Sequence, residues 1–299
     1  MGRTGLFVGM VTLDLIYLAA QLPGSNQKVV ASDYTVAAGG PATNAGVTFG
    51  YLGNQPRLLG VVGTHPIAQL IRTDLERYGV GIFDLNPTTP EPPPVSSIII
   101  TQAMGDRAVI SLNAIKIQAS TNQLPVDFEC GVDIVLIDGH QMTISYAIAK
   151  IAKDNNIPVV IDGGSWKPGF DQILPFVDYA ICSANFFPPG CSTSEDVMAY
   201  LAAVGIPHIA ITQGEEPLRY LSRSKTGQIP VPQINAVDTL GAGDVFHGAF
   251  CHYILEHSFI DALRAATIIA SHSCQFFGTR RWMEHTTVKP DGVTSDSKD

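Results

Sequence analysis

The sequence predicts an α/β fold: a central, mostly parallel β-sheet flanked by helices in a three-layer, Rossmann-like arrangement, with a small β-sheet standing outside it. Three observations carry this expectation. Short β-branched runs alternate with longer amphipathic runs along most of the 299 residues. The short runs are apolar at consecutive positions, as strands buried on both faces are. Two segments without helical spacing interrupt the alternation.

Taken in order, residues 6–16 (LFVGMVTLDLI) read as the first strand. The N-terminal stretch has one Arg and an apolar run, as a secretion signal does, but Asp14 interrupts the run. Residues 27–40 (QKVVASDYTVAAGG) have no helical pattern. Residues 57–63 (RLLGVVG) form a strand, and 66–79 a helix that stops at Gly79. A stiff proline-rich linker, 86–94, leads into 95–113, a hairpin with Gly105 and Asp106 at its turn. Segments of about 15–38 and 95–113 then make a small β-lid. Strands at 133–138, 158–162, 178–182 and 208–212 alternate with helices at 144–156 and 194–205, the second ending at Gly205. One domain covers residues 1–285, and the polar tail 286–299 is expected to be disordered. Ligands in such sheets sit at the carboxyl ends of the strands.

Composition narrows the function. A net charge of −9 leaves no basic surplus for nonspecific nucleic-acid binding. No apolar run is long enough to span a membrane. Five cysteines, an odd number without a CxxC pair, argue against a disulfide or zinc scaffold and for the cytoplasm.

The chemistry concentrates in residues 236–250 (AVDTLGAGDVFHGAF). Apolar residues at 245, 246, 249, 250, 253 and 254 mark one face of a helix. Gly241, Ala242 and Gly243 are therefore a loop emptying into a helix N-terminus, where converging N–H groups and about half a positive charge attract anions. Asp244 follows directly. As a helix cap it would contribute only about 0.3–1 kcal/mol. Beside an anion it would repel its neighbour, which is tolerable for a general base acting on a nucleophile that attacks a phosphate. The glycine spacing matches neither a dinucleotide fingerprint nor a P-loop.

These residues resemble a known family. DTLGAGD (238–244) is similar to the C-terminal signature of the PfkB, or ribokinase-like, carbohydrate kinases. GGPATNAGVTFGYLG (39–53) resembles the N-terminal signature, and GMVTLD (9–14) its first strand. The resemblance spans residues 5–280. It implies that Asp244 deprotonates a sugar hydroxyl and that Gly241, Ala242 and Gly243 hold the γ-phosphate. It implies sugar contacts at Asp14, Gly39, Gly40 and Asn44. ITQGEEP (211–217) is similar to the family's nucleotide loop at Thr212 and Gly214, with Pro217 in place of its last glycine. ASHSCQFFG (270–278) resembles the adenine-side helix, which adds Cys274 and Gly278; Thr239 and Asn185 complete the implied nucleotide contacts.

The implied reaction is ATP-dependent phosphorylation of a small sugar, with Mg2+ on the nucleotide phosphates and a possible homodimer through the lid. The family's N-x-x-E pattern is incomplete: Pro188 stands where its glutamate belongs, and Glu195 is out of register. Nothing in the sequence names a metal ligand. A nucleoside kinase of the same family and a weakly catalytic binding protein are the alternatives. Asp162 ends a strand at the ligand edge, Lys167 reads as a solvated loop lysine, and His247 and His252 as packing or solvent-facing residues.

Overall fold

The computed structural model describes residues 2–101, 107–112, 118–126 and 128–285. The first half contains β1 (Thr4–Val8), β2 (Thr12–Ala19), β3 (Asp33–Gly39), α1 (Pro41–Tyr51), β4 (Gln55–Gly60), α2 (Pro66–Arg77) and β5 (Gly81–Asp84). Next come β6 (Val95–Thr101), β7 (Arg107–Ser111), β8 (Ile134–Ile137), α3 (Met142–Asp154), β9 (Val159–Gly163), α4 (Phe170–Ile173) and β10 (Tyr179–Ser183). The last third holds α5 (Ser194–Val204), β11 (His208–Gln213), β12 (Glu216–Ser222), β13 (Lys225–Ile229), α6 (Ala242–Tyr253) and α7 (Phe259–Ser273).

Local chemistry explains the boundaries. Pro66 opens α2, and Gly79 follows its last turn with φ 67°. Thr193 and Asp196 form a reciprocal capping box at the start of α5, and Gly205 closes it with φ 100°.

The main sheet has the order β13-β12-β11-β10-β9-β8-β1-β4-β5. From β11 to β5 neighbouring strands are parallel, and β12 and β13 run antiparallel at one edge. Alternate residues of its strands feed two apolar layers. Phe7, Leu58, Leu136 and Ile181 meet α1, α2, α6 and α7 on one face, while Val8, Leu59, Ile137 and Ile161 meet α3, α4 and α5 on the other. This is the expected three-layer arrangement.

A separate sheet has the order β3-β2-β6-β7, with β2 and β6 parallel. One face turns Ile16, Ile98 and Ile100 inward against Phe277. The other carries Tyr17 opposite Tyr34, and here Tyr34 is 66% and Ile110 78% exposed. The expected hairpin turn at Gly105 and Asp106 and the tail 286–299 lie outside the described residues.

One expectation is corrected. Residues 6–16 are not one strand. The chain leaves the main sheet after Val8 and enters the small sheet at Thr12. Long-range bonds set this crossing: Met10 N–H donates to Asp138 Oδ2 at 2.9 Å, and Thr43 Oγ1 donates to the Met10 carbonyl at 3.0 Å. Asp14 therefore does not end a main-sheet strand. It is the third residue of β2, in the small sheet. No helix among the described residues is long and apolar enough to cross a membrane.

Candidate active site

The site begins with a close helix crossing. A Cβ on Gly248 of α6 would overlap the Ala45 carbonyl oxygen of α1 and lie 2.7 Å from the Thr48 Cβ. Only glycine permits this approach. It brings Asn44, one residue before Ala45, to Asp244, one turn before Gly248. Asn44 Nδ2 donates to Asp244 Oδ2 at 2.8 Å.

A buried arginine fixes the direction of that amide. Arg280 Nη1 donates to Asn44 Oδ1 at 2.9 Å, so the amide nitrogen must face Asp244. Arg280 Nη2 donates to the Ala38 carbonyl at 2.7 Å and reaches Asp74 Oδ2 at 3.4 Å.

Asp14 approaches from the small sheet. It is buried, and Thr12 Oγ1 donates to its Oδ1 at 2.7 Å. Gly39, on the neighbouring strand, leaves the space its carboxylate fills, because a Cβ there would overlap Asp14 Oδ2. Gly40 caps α1 with φ 103°. Burial raises the affinity of Asp14 for a proton, against the donors Thr12 and Ser96 and the Arg280 charge.

The same forces act more strongly on Asp244. Burial, and then the charge of Asp162, push it up to about 7, against the Asn44 donor and His247. A carboxyl poised there exchanges protons near neutral pH, as a general base must.

Gly241 caps α6 in the left-handed region, with φ 74°. The Ala242 N–H turns to the Thr239 carbonyl at 3.3 Å. The Gly243 and Asp244 N–H groups lie in the first turn, where a helix offers no acceptor of its own. The space beside Gly243 is open. Buried Asp238 fixes the loop from behind by accepting from the N–H groups of Leu240 and Gly278, each at 2.8 Å.

Residues expected at the nucleotide fall in two places. Thr239, Cys274 and Gly278 surround the anion loop. Thr239 is exposed and receives Arg107 Nη1 from β7 at 3.1 Å on its carbonyl. Cys274 acts through its carbonyl, which accepts from Val237 and Asp238 N–H groups at 2.8 and 3.1 Å, while its thiol is buried. Thr212, Gly214 and exposed Asn185 stand at the carboxyl ends of β11 and β10. Gly214 lies in the two-residue turn between Gln213 and Glu216.

Pro188 is buried, and its carbonyl accepts from the Cys191 N–H at 3.0 Å. Glu195 is held by Arg219 Nη1 at 2.6 Å in the first turn of α5. Among the described residues no three His, Cys, Asp or Glu side chains cluster as a metal site. Lys167 Nζ lies 5.7 Å above the Phe170 ring centre.

Two members of the site escape the sequence reading. Arg280 belongs to no motif. His247, expected to pack or face solvent, is buried, and what the spacing did not show is its partner, Asp162. His252 lies elsewhere, with its Nδ1 2.7 Å from Asn54 Nδ2.

Comparison with known proteins identifies the family and the fold. Residues 6–286 match the model described as pfkB family carbohydrate kinase. The ribokinase of Bacillus subtilis is 26% identical, the alignment covering 92% of this chain and 94% of that protein. The deoxyribokinase of Salmonella typhi is 25% identical, covering 91% and 93%. The structure of Arabidopsis thaliana ribokinase complexed with ribose and ATP superposes with a TM-score of 0.76 at 21% identity, covering 96% of this chain and all of that one.

Proposed function

The chain belongs to the pfkB family of carbohydrate kinases, and from that premise we propose that it transfers the γ-phosphoryl group of ATP to a hydroxyl of a small sugar. The observation that carries this reading is Asp244, pushed up to about 7 and held by Asn44 directly after an open anion loop.

The sugar lies between Asp14 and Asn44, its hydroxyls donating to the Asp14 carboxylate. Asp244 takes the proton of the reacting hydroxyl. That oxygen bonds to the γ-phosphorus as the bond from the γ-phosphorus to the β-bridging oxygen breaks, and ADP leaves. Gly241, Ala242 and Gly243 present the helix N-terminus to the charge on the phosphoryl group, where positioning and electrostatics supply most of the catalysis. Mg2+ enters as part of the substrate, MgATP. With Pro188 in the glutamate position, its oxygen ligands come chiefly from nucleotide phosphates and water.

The small sheet acts as a lid that brings Asp14 to the sugar and excludes water. The exposed apolar outer face of that sheet supports a homodimer, and use of ATP together with five free cysteines supports a cytoplasmic setting. Thr212, Gly214 and Asn185 are proposed to face the nucleotide.

The test is ADP release from MgATP across pentoses, ketohexoses, aldohexoses and nucleosides, with Asp244→Asn as control. Sugar-dependent release lost in the control is the expected result. Silence across the panel, with sugars still raising thermal stability, would replace the kinase by a binding protein.

A further inference from the structure

Asp162 of β9 and His247 of α6 meet close to Asp244. Asp162, the fourth residue of β9, has its Oδ2 3.6 Å from His247 Nδ1. Both side chains are buried. The His247 ring turns back along α6. Its Nδ1 lies 2.7 Å from the Gly243 carbonyl oxygen, and its Nε2 lies 3.2 Å from the Ile181 carbonyl oxygen on β10. Carbonyl oxygens only accept, so each contact needs an N–H on the ring. Only the doubly protonated ring supplies both. The Asp162 carboxylate provides the matching negative charge. The two thiols near it, Cys182 and Cys251, are held protonated by burial and by Asp162 itself, so they add none.

The Gly243 carbonyl and the Asp244 N–H are the two ends of one peptide unit. A cation bonded to the carbonyl end polarises the unit and strengthens its N–H end as a donor. That N–H opens toward the anion site in the first turn of α6. Asp244 is itself faced by Asp162 from β9, Asn44 from α1, Asp14 from β2 and His247 on its own helix, so the pair acts on the loop and the base together.

We propose that Asp162 and His247 form a buried positioning pair that pins and polarises the Gly243–Asp244 peptide for the transferring phosphoryl group. The proposal rests on the kinase reading, and two measurements keep the two apart.

The first needs no substrate. Nitrogen-15 spectra of the His247 ring at pH 7 are expected to show two protonated nitrogens in the wild-type protein and a loss of one in Asp162→Asn. A singly protonated ring in the wild type would overturn the proposal even if the enzyme is an active kinase. The second is kinetic. With the sugar identified by the panel, His247→Gln and Asp162→Asn are expected to lower kcat about 10-fold or more and to leave the sugar KM within about twofold. The acid limb of the His247→Gln pH profile moves to higher pH, because Asp162 then acts on Asp244 uncompensated. A merely structural histidine would not move that limb. Wild-type kcat in both variants, or an unmoved limb, refutes the pair.

Discussion

Replacing Gly248 by alanine sets two effects against each other. Alanine in a helix interior favours the helix by about 1 kcal/mol over glycine, so propensity alone predicts a more stable protein. Packing predicts the reverse. The new Cβ would stand 2.7 Å from the Thr48 Cβ, where ordinary contacts begin at 3.4 Å, and would overlap the Ala45 carbonyl oxygen. That oxygen is backbone and cannot rotate away. The two helices must therefore part by at least about 0.7 Å, and overpacking of this kind costs about 1–3 kcal/mol. The Asn44–Asp244 bond, 2.8 Å in the native crossing, is carried to the edge of hydrogen-bond range. Misplacing a catalytic group by about 1 Å costs about 100-fold in rate. Urea denaturation of Gly248→Ala is expected to show a lower midpoint, and the ADP-release assay a fall in kcat of about that size. A variant as stable and as fast as the wild type would show that the helix crossing does not set the distance between Asn44 and Asp244.

Other outcomes follow from the same site. Activity should fall as pH drops through about 7, because Asp244 must lose its proton to act as base; a kcat/KM profile flat from pH 5 to 8 would remove it from that role. Its folded affinity for a proton exceeds the unfolded one, so its contribution to stability is fully present below about pH 4 and is lost as pH rises through about 7. Asp244→Asn should therefore cost at least about 100-fold in turnover yet raise the melting temperature more at pH 8 than at pH 5, which calorimetry can check. Arg280→Met removes the donor that orients Asn44 and strands the Asp74 side of a buried pair; a loss of about 3–5 kcal/mol is expected by denaturation, with a lower kcat at temperatures where it remains folded. Pro188→Glu is expected to lower stability by about 1–3 kcal/mol, because it puts a charge in a buried position. It should not improve activity at limiting Mg2+, which titration of the metal would reveal.

The features legible in the sequence are those written in local spacing. Residues 66–79 announced α2 because its apolar residues repeat at helical intervals and Gly79 can adopt the left-handed φ after it. Gly241 to Asp244 were legible because glycine, helix onset and acid are contiguous. The break between β1 and β2 was not, because strands in two different sheets can both be apolar. What bends the chain is the bond from Met10 to Asp138, a residue 128 positions away. Arg280 was invisible for the same reason, since its bond to Asn44 spans 236 positions. His247 occupies an apolar helix face and reads as packing until the fold brings Asp162 and Ile181 beneath it. Asn44 was expected to face the sugar, and the structure adds its bond to Asp244.

The short crossing from β1 to β2 also limits how this chain can change in length. Three residues, Gly9 to Val11, carry it from one sheet to the other. Successive side chains of a strand point to opposite faces, so slipping β2 by one position would put Leu13 or Leu15 where Asp14 stands and turn the carboxylate outward. An insertion here must be absorbed as a bulge or turn Asp14 out of its buried position. The segment between β2 and β3, 20–32, carries no such constraint, because its length does not set which residue of β2 faces the cleft. Natural variation in length should therefore collect there and avoid the crossing, leaving residues 9–14 of constant length among sequences that keep the activity.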